Sequence, residues 1–371
     1  MKRTLSLLLL LLTVLPTALY APIGALAVES LSAECAALYD GENRRMLFEK
    51  NARTRHAMAS TTKIMTALVA IESLGEDTVI TVPKEAVGVE GSSVYLREGD
   101  QYTLLSLLYA LMLQSANDAA EAIAYAVAGG IEPFAERMNA RAAALGLTDT
   151  HFENPHGLDG DAHYTTASDL AVIACEALEN PLFLKIVSGR RYLFSTVTGE
   201  NPRMLINHNK MLALYDGAVG VKTGYTKSCG RCLVSAARRD GLLLVAVTLD
   251  APSDWSDHTE LLDFGFERYE SRLLFSPGEF TFTLPLFNGN DTVTLENRDE
   301  LRLVMPKDTP IPAPRIEITA PPVSPIKAGD IAGRVIYEYD GAVSSSPLVY
   351  SEDIAEQKSS KGWFGLRRYI K

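Results

Sequence analysis

Two periodicities divide this chain. Over 61–72 the apolar residues recur at helical spacing: Ile64, Leu68 and Ile71 form one stripe, with Met65 and Val69 beside it. Ser60 stands at the N-cap slot of that predicted helix, where hydroxyl side chains are favoured. Upstream, Ala36-Ala37-Leu38-Tyr39 and Arg45-Met46-Leu47-Phe48 flank the turn Asp40-Gly41-Glu42-Asn43 and predict a hairpin. Residues 79–82 predict a short strand closed by Pro83, and 88–100 a glycine- and serine-rich loop. A helix is predicted over 104–112, apolar around its circumference and therefore buried. It breaks at the polar run Gln114-Ser115-Ala116-Asn117-Asp118. Further helices are predicted over 119–128, 133–145 and 166–178, the last stopped by Asn180-Pro181, with a loop over 148–164.

The period then changes to two. Strands are predicted over 191–198, 219–224, 232–237 and 243–249, the last two joined by a turn at Arg239-Asp240-Gly241. A helix over 255–269 follows. Strands, a block of helices, then strands and a helix define an α+β class. The layout is an antiparallel sheet flanked by helices, with a helical insertion between its first and last strands. After Pro277-Gly278 five alternating segments lie between prolines, which predicts a small all-β domain that serves as a spacer or docking module.

Composition adds compartment and partners. The chain has 371 residues, enough for two domains, and 47% of them are hydrophobic. A net charge of −11 argues against nucleic acid as a partner. Lys2 and Arg3, the apolar run 5–15 and Ala25-Leu26-Ala27 have the form of an export signal. The expected division is a signal peptide over 1–27, a main domain over 28–276, a β-rich domain over 277–345 and a basic amphipathic tail over 346–371. The tail mixes Lys358, Lys361, Arg367, Arg368 and Lys371 with Trp363, Phe364, Leu366, Tyr369 and Ile370, a composition suited to an anionic membrane surface. Cys229-Gly230-Arg231-Cys232 lacks a second ligand pair at zinc spacing, so its thiols are expected to be buried at a strand start. No metal or cofactor is expected.

Three polar clusters carry candidate chemistry. Ser60 and Lys63 are three residues apart, hence on one helix face. A serine becomes a nucleophile when a neighbouring base takes its proton. A lysine serves as that base once burial or a nearby cation lowers its pKa. The spacing alone means little, since Ser-x-x-Lys arises about once by chance in a chain this long. Ser324-Pro325-Ile326-Lys327 repeats it inside a proline-rich segment. The second cluster, Ser115-Ala116-Asn117, interrupts an apolar helix that has no propensity reason to stop. The third, Lys222-Thr223-Gly224, lies on a predicted strand near the end of the sheet.

In that order, the three clusters resemble the motifs of penicillin-recognising serine enzymes. Within them the chain resembles the low-molecular-mass penicillin-binding proteins, the serine-type D-Ala-D-Ala carboxypeptidases. Met58 to Ala67, Leu113 to Ala120, Asn154-Pro155-His156-Gly157-Leu158-Asp159 and Gly220 to Thr226 carry the likeness, which covers about 30–275. The resemblance implies an acyl-enzyme on Ser60 with Lys63 as base and Ser115 as proton relay. It also implies substrate binding by Asn117, Lys222, Thr223 and Gly224, and an oxyanion hole from the Ser60 and Tyr225 backbone N–H groups. The implied substrate is the D-Ala-D-Ala terminus of a peptidoglycan stem peptide, with β-lactams as covalent inhibitors, outside the cytoplasm and peripherally bound to the membrane. His151, His156 and His258 are expected to be structural. Ser253-Asp254-Trp255-Ser256-Asp257-His258 lacks the arginine that some relatives carry near the start of the last helix. A β-lactamase using Glu176 and Asn180, or a non-catalytic wall-binding protein, are the competing readings.

Overall fold

The computed structural model describes residues 28, 30–289 and 291–356. The expected signal peptide, and the basic and aromatic residues of the tail from Lys358 onward, lie outside them.

The predicted first hairpin is present as β1 (Cys35–Asp40) and β2 (Arg45–Lys50). Next comes a 3-10 turn over Ala59–Thr62, continuing into α1 (Lys63–Ser73). A small antiparallel pair, β3 (Val79–Thr81) and β4 (Gln101–Thr103), leads into α2 (Leu104–Leu113). Helices α3 (Asn117–Ala128), α4 (Ile131–Ala144) and α5 (Ala167–Leu178) complete the helical insertion with α6 (Pro181–Ser188). Pro181, expected to end a helix, instead starts α6: it occupies the first turn while the Asn180 side chain accepts the Leu182 and Phe183 N–H groups. A hairpin of β5 (Arg191–Phe194) and β6 (Arg203–Ile206) and the short α7 (Met211–Leu214) precede the long strands β7 (Ala218–Thr226), β8 (Gly230–Arg239) and β9 (Leu242–Leu249). Helix α8 (Asp254–Arg268) follows.

The five long strands form one antiparallel sheet in the order β2-β1-β9-β8-β7. Alternation along the strands explains why both sheet faces are covered. Ala37 and Tyr39 of β1 and Val245 and Val247 of β9 enter the core shared with the helical insertion. Their neighbours Ala36, Leu38, Leu244 and Ala246 enter a second core with Leu261 and Leu262 of α8. Strand β7 ends the sheet and has one strand neighbour, β8.

After α8, β10 (Tyr269–Phe275) pairs with β13 (Leu301–Pro306). A second five-stranded sheet contains β11 (Thr281–Pro285), β12 (Thr292–Asn297), β14 (Arg315–Ile318), β15 (Ile331–Tyr339) and β16 (Ala342–Tyr350) in the order β11-β12-β16-β15-β14. Its core, with Val293, Leu295, Leu303, Val335, Tyr337 and Leu348, is separate from the other two. The all-β C-terminal part is thus present. It touches the first sheet at its hairpin: the Asn43 side chain accepts the Val304 N–H, and Arg45 donates to the Val304 and Asp340 carbonyls. Among the described residues no helix is long and apolar enough to cross a membrane.

Candidate active site

Ser60 is not an N-cap. It sits inside the 3-10 turn, and neither that turn nor α1 has a side-chain cap. Ala59 before it adopts φ +44°, a conformation that L-residues with a side chain rarely hold. The turn is closed instead by Thr61, whose hydroxyl donates to the Met58 carbonyl at 2.6 Å, and by Thr62, whose hydroxyl donates to the Ala59 carbonyl at 2.8 Å. The Ser60 hydroxyl is therefore left for Lys63, whose Nζ lies 2.9 Å away.

Lys63 is fully buried. Its Nζ lies 2.7 Å from Asn117 Oδ1 and 2.5 Å from the His156 carbonyl oxygen. A neutral amine has two N–H donors and one lone pair. With the donors given to Asn117 and His156, the lone pair faces the Ser60 hydroxyl proton. Burial, and then the nearby Lys222 ammonium, push the Lys63 pKa well below its ordinary value, so the neutral form is favoured. This arrangement is suited to taking the proton of Ser60.

Asn117 opens α3, and its Nδ2 donates to the Glu90 carbonyl at 2.6 Å. The next residue, Asp118, is buried. Its carboxylate accepts Ser93 Oγ–H and the N–H groups of Val94 and Leu96. One helix start thus anchors both Lys63 and the 90–96 loop. Ser115 is buried at φ +59°, and its hydroxyl makes no hydrogen bond to another described residue. Its hydroxyl is not among the hydrogen-bond partners of Lys63 Nζ.

Strand β7 brings the third cluster. Lys222 is buried, and burial pulls its pKa down to about 7. Its Nζ donates to the Thr223 carbonyl at 2.7 Å. The Thr223 side chain makes no hydrogen bond to another described residue, and Tyr225 is exposed. Gly224 backs onto the nucleophile turn: a Cβ there would stand 3.1 Å from the Ser60 nitrogen and 3.2 Å from the Met58 oxygen. A side chain there would force the nucleophile turn to shift by a few tenths of an ångström.

Several contributors carried no sequence signal. His163 bonds through Nε2 to the Thr62 hydroxyl at 2.8 Å, while its Nδ1 accepts the Glu153 N–H at 3.0 Å. The Glu153 contact assigns the proton to Nε2. Burial holds the His163 pKa down at about 4, so this tautomer is neutral. The 154–157 loop was visible only as a likeness; its backbone carbonyl supplies one of the three Lys63 contacts. The histidines expected to be structural make the following contacts. His156 Nε2 lies 3.4 Å from the Glu121 carboxylate, His151 Nδ1 lies 2.7 Å from the Ala162 carbonyl, and the wholly buried His258 lies 2.9 Å from the Thr248 hydroxyl. Cys229 and Cys232 are buried free thiols, as expected. The cation near the start of α8 is Arg231 of β8, on the α8 side of the sheet and paired to Asp254 at 2.8 Å. Among the described residues Glu34, His56 and Asp250 offer ligand atoms within 4.8 Å of one another. None of these three side chains is among the hydrogen-bond partners of Lys63 Nζ.

A serine hydroxyl 2.9 Å from a buried lysine amine, beside the end strand of an antiparallel sheet, is an arrangement suited to serine acyl transfer with lysine in the place that histidine takes in other serine enzymes. Residues 23–253 match the Peptidase S11 family, described as D-alanyl-D-alanine carboxypeptidase. The chain is 30% identical over 370 residues to D-alanyl-D-alanine carboxypeptidase DacF of Bacillus subtilis, covering 95% of each. It is 29% identical to DacC of Escherichia coli, covering 94% of this chain and 90% of that one. Among solved structures it is similar to penicillin binding protein 5 from Haemophilus influenzae: the TM-score is 0.71 at 26% identity, over 88% of this chain and 98% of that one. The chain belongs to the Peptidase S11 family, and it is a hydrolase of the D-alanyl-D-alanine carboxypeptidase class.

Proposed function

We propose that Ser60 is the nucleophile that removes the terminal D-alanine from peptidoglycan stem peptides. The observation that carries this is the 2.9 Å contact between Ser60 Oγ and the buried Lys63 amine. Lys63 takes the hydroxyl proton as Oγ attacks the penultimate D-alanine carbonyl. The Ser60 and Tyr225 N–H groups hold the oxyanion. Ser115, whose hydroxyl has no hydrogen-bond partner among the described residues, passes its proton to the leaving amine and takes up the one held by Lys63. D-Alanine departs, and water hydrolyses the ester on Ser60, returning a proton to the leaving oxygen. Asn117 holds Lys63 and the substrate amide. Lys222 and Thr223 bind the terminal carboxylate, whose charge restores the Lys222 proton that burial disfavours. Gly224 keeps this strand against the nucleophile turn. β-Lactams acylate the same serine.

Two observations disfavour a β-lactamase. Glu176 lies on α5 and pairs with Arg44 and Arg141. Asn180 Oδ1 is used as the α6 cap. Neither is free to activate a deacylating water.

The reading includes export through 1–27, action on the cell-wall side, a catalytic part through 276 and a separate β-rich part after it. The basic tail attaches the enzyme to the anionic membrane surface, and the acidic net charge disfavours nucleic acid. Deleting residues 352–371 tests the tail: membrane fractionation unchanged by the deletion overturns that part. The central test is release of D-alanine from diacetyl-Lys-D-Ala-D-Ala, together with covalent labelling by a fluorescent penicillin. Both are expected to be lost in Ser60→Ala, and equal labelling of that variant overturns the assignment.

A further inference from the structure

The Cys-x-x-Cys pair belongs to neither the acyl-transfer chemistry nor a metal site, yet it lies where the two halves of the active site meet. Cys232 is on β8 directly opposite Gly224 of β7. Its Sγ is 3.8 Å from the Ala57 carbonyl, three residues before Ser60. Cys229 ends the turn between β7 and β8, and its Sγ is 4.0 Å from that of Cys232. The other two cysteines, Cys35 and Cys175, are also buried free thiols.

We propose that Cys229 and Cys232 are a site of reversible oxidation, and that their disulfide slows acylation at Ser60. The effect on acylation rests on the assignment of Ser60 given above. The chemistry is a thiol–disulfide exchange with a low-molecular-mass or protein disulfide. The Cys229 thiolate attacks one sulfur of the oxidant and expels the other as a thiolate, giving a mixed disulfide. Cys232 then loses its proton and attacks Cys229 Sγ, expelling the second thiolate. Two protein thiols are oxidised, one external disulfide is reduced, and the thiol protons pass to the two leaving thiolates.

The surroundings assign the order of attack. The Cys232 S–H donates to Cys229 Sγ, and the Thr226 hydroxyl lies 3.1 Å from the same sulfur. Both interactions favour the Cys229 thiolate and hold its pKa below the ordinary thiol value, while the first and burial raise that of Cys232. The sulfurs lie beneath a turn whose Lys227 and Ser228 are exposed, so an oxidant reaches them by displacing that turn.

The link to catalysis is steric. A disulfide requires about 2 Å of closure from the observed separation. Gly230 resists movement of the following residue, because it lies against Asp250: a Cβ there would stand 2.0 Å from Asp250 Oδ1. Closure therefore displaces the turn and the end of β7, which carries Tyr225 and Thr226, or the 57–60 segment. The Thr226 hydroxyl has a single proton and three acceptors in reach, Cys229 Sγ and Asp159 Oδ1 at 3.1 Å and Ser228 Oγ at 2.9 Å. Conversion of the thiolate to a disulfide leaves that proton to Asp159 or Ser228. A displacement of about 1 Å at a catalytic backbone costs up to about 100-fold in rate.

The test uses the whole chain with bis(2-hydroxyethyl) disulfide as oxidant. The reduced enzyme is first shown to acylate with fluorescent penicillin; if it does not, the Ser60 reading has failed and not this one. After oxidation, peptide mapping is expected to find Cys229 linked to Cys232 and the acylation rate lowered by about fivefold or more. Dithiothreitol is expected to restore the rate. Cys229→Ser, whose hydroxyl keeps the Thr226 partner, is expected to acylate normally and not to respond to the oxidant, and Cys232→Ala is expected not to respond. Failure to form the 229–232 link, a smaller rate change on forming it, or an equal response in Cys229→Ser overturns the proposal.

Discussion

Gly157 lies against the carbonyl of Ala59: a Cβ on Gly157 would stand 1.9 Å from that oxygen. Gly157 also has φ +89°, so a side chain there is excluded by both space and conformation. The contact joins the two backbone segments that set the Ser60–Lys63 geometry, since residue 156 supplies a Lys63 acceptor and residue 59 precedes the nucleophile. Gly157→Ala is expected to cost on the order of 3 kcal/mol or more and to suppress penicillin labelling. Thermal unfolding and labelling rates check this; near-normal values for both contradict the proposed packing.

Lys63 acts only as a neutral amine in this mechanism. Arginine keeps a donor there but stays charged at working pH. Lys63→Arg is therefore expected to fold and to acylate about 10²–10⁴-fold more slowly. Stopped-flow acylation with a chromogenic penicillin measures the loss, and a rate near wild type rules out the proton transfer to Lys63.

Lys222 is proposed to bind a carboxylate as a cation, yet burial draws its pKa in the free enzyme to about 7. Raising pH through this value removes the proton. kcat/KM for the D-Ala-D-Ala peptide is expected to fall on an alkaline limb far below the ordinary lysine range. Lys222→Arg is expected to lose that limb whatever its absolute rate. A wild-type profile that is flat up to pH 10 contradicts the role.

Acid stability is expected to depend on His258 and His163. Burial lowers their pKa values from 6.5 to about 3 and about 4. Below 6.5 the unfolded chain binds protons that the native state refuses, so stability falls with falling pH across the window down to the native values. For His258 the loss is on the order of 5 kcal/mol across that window. His258→Gln is expected to be less stable near neutrality but to show a shallower dependence of urea midpoint on pH between 6.5 and 4. An unchanged slope contradicts this.

Asp118 receives two backbone N–H groups and one hydroxyl of the 93–96 segment. Asp118→Ala leaves buried donors unpaired and is expected to cost about 3 kcal/mol or more. Hydrogen exchange at Val94 and Leu96 is the local readout, and unchanged protection there contradicts the anchoring role.

The motif clusters are local in sequence, and periodicity placed them. The stripe of Ile64, Leu68 and Ile71 located α1, and the two apolar runs on either side of Arg239-Asp240-Gly241 located β8 and β9. Those runs are unbroken because each strand buries alternate residues in two different cores. Helices α2 to α5 of the insertion were legible as well, whereas α6 was not. The Ser60 cap was misread because local propensity favours hydroxyl capping, whereas Ala59 at φ +44° and the bonds of Thr61 and Thr62 close the turn without it. Pro181 was misread because a proline that ends one helix also suits the first turn of the next.

The sequence by itself determined the α+β class, the three polar clusters and the family likeness, since these depend on short-range period and residue type. Only the tertiary structure decided the state of Lys63. Its burial, the Asn117 and His156 acceptors and the Lys222 charge come from different segments, and desolvation belongs to no single one of them. The same holds for His163 beneath Thr62 and for Cys232 between Gly224 and Ala57. Their chemistry is set by what packs against them, and chain folding alone brings those neighbours together.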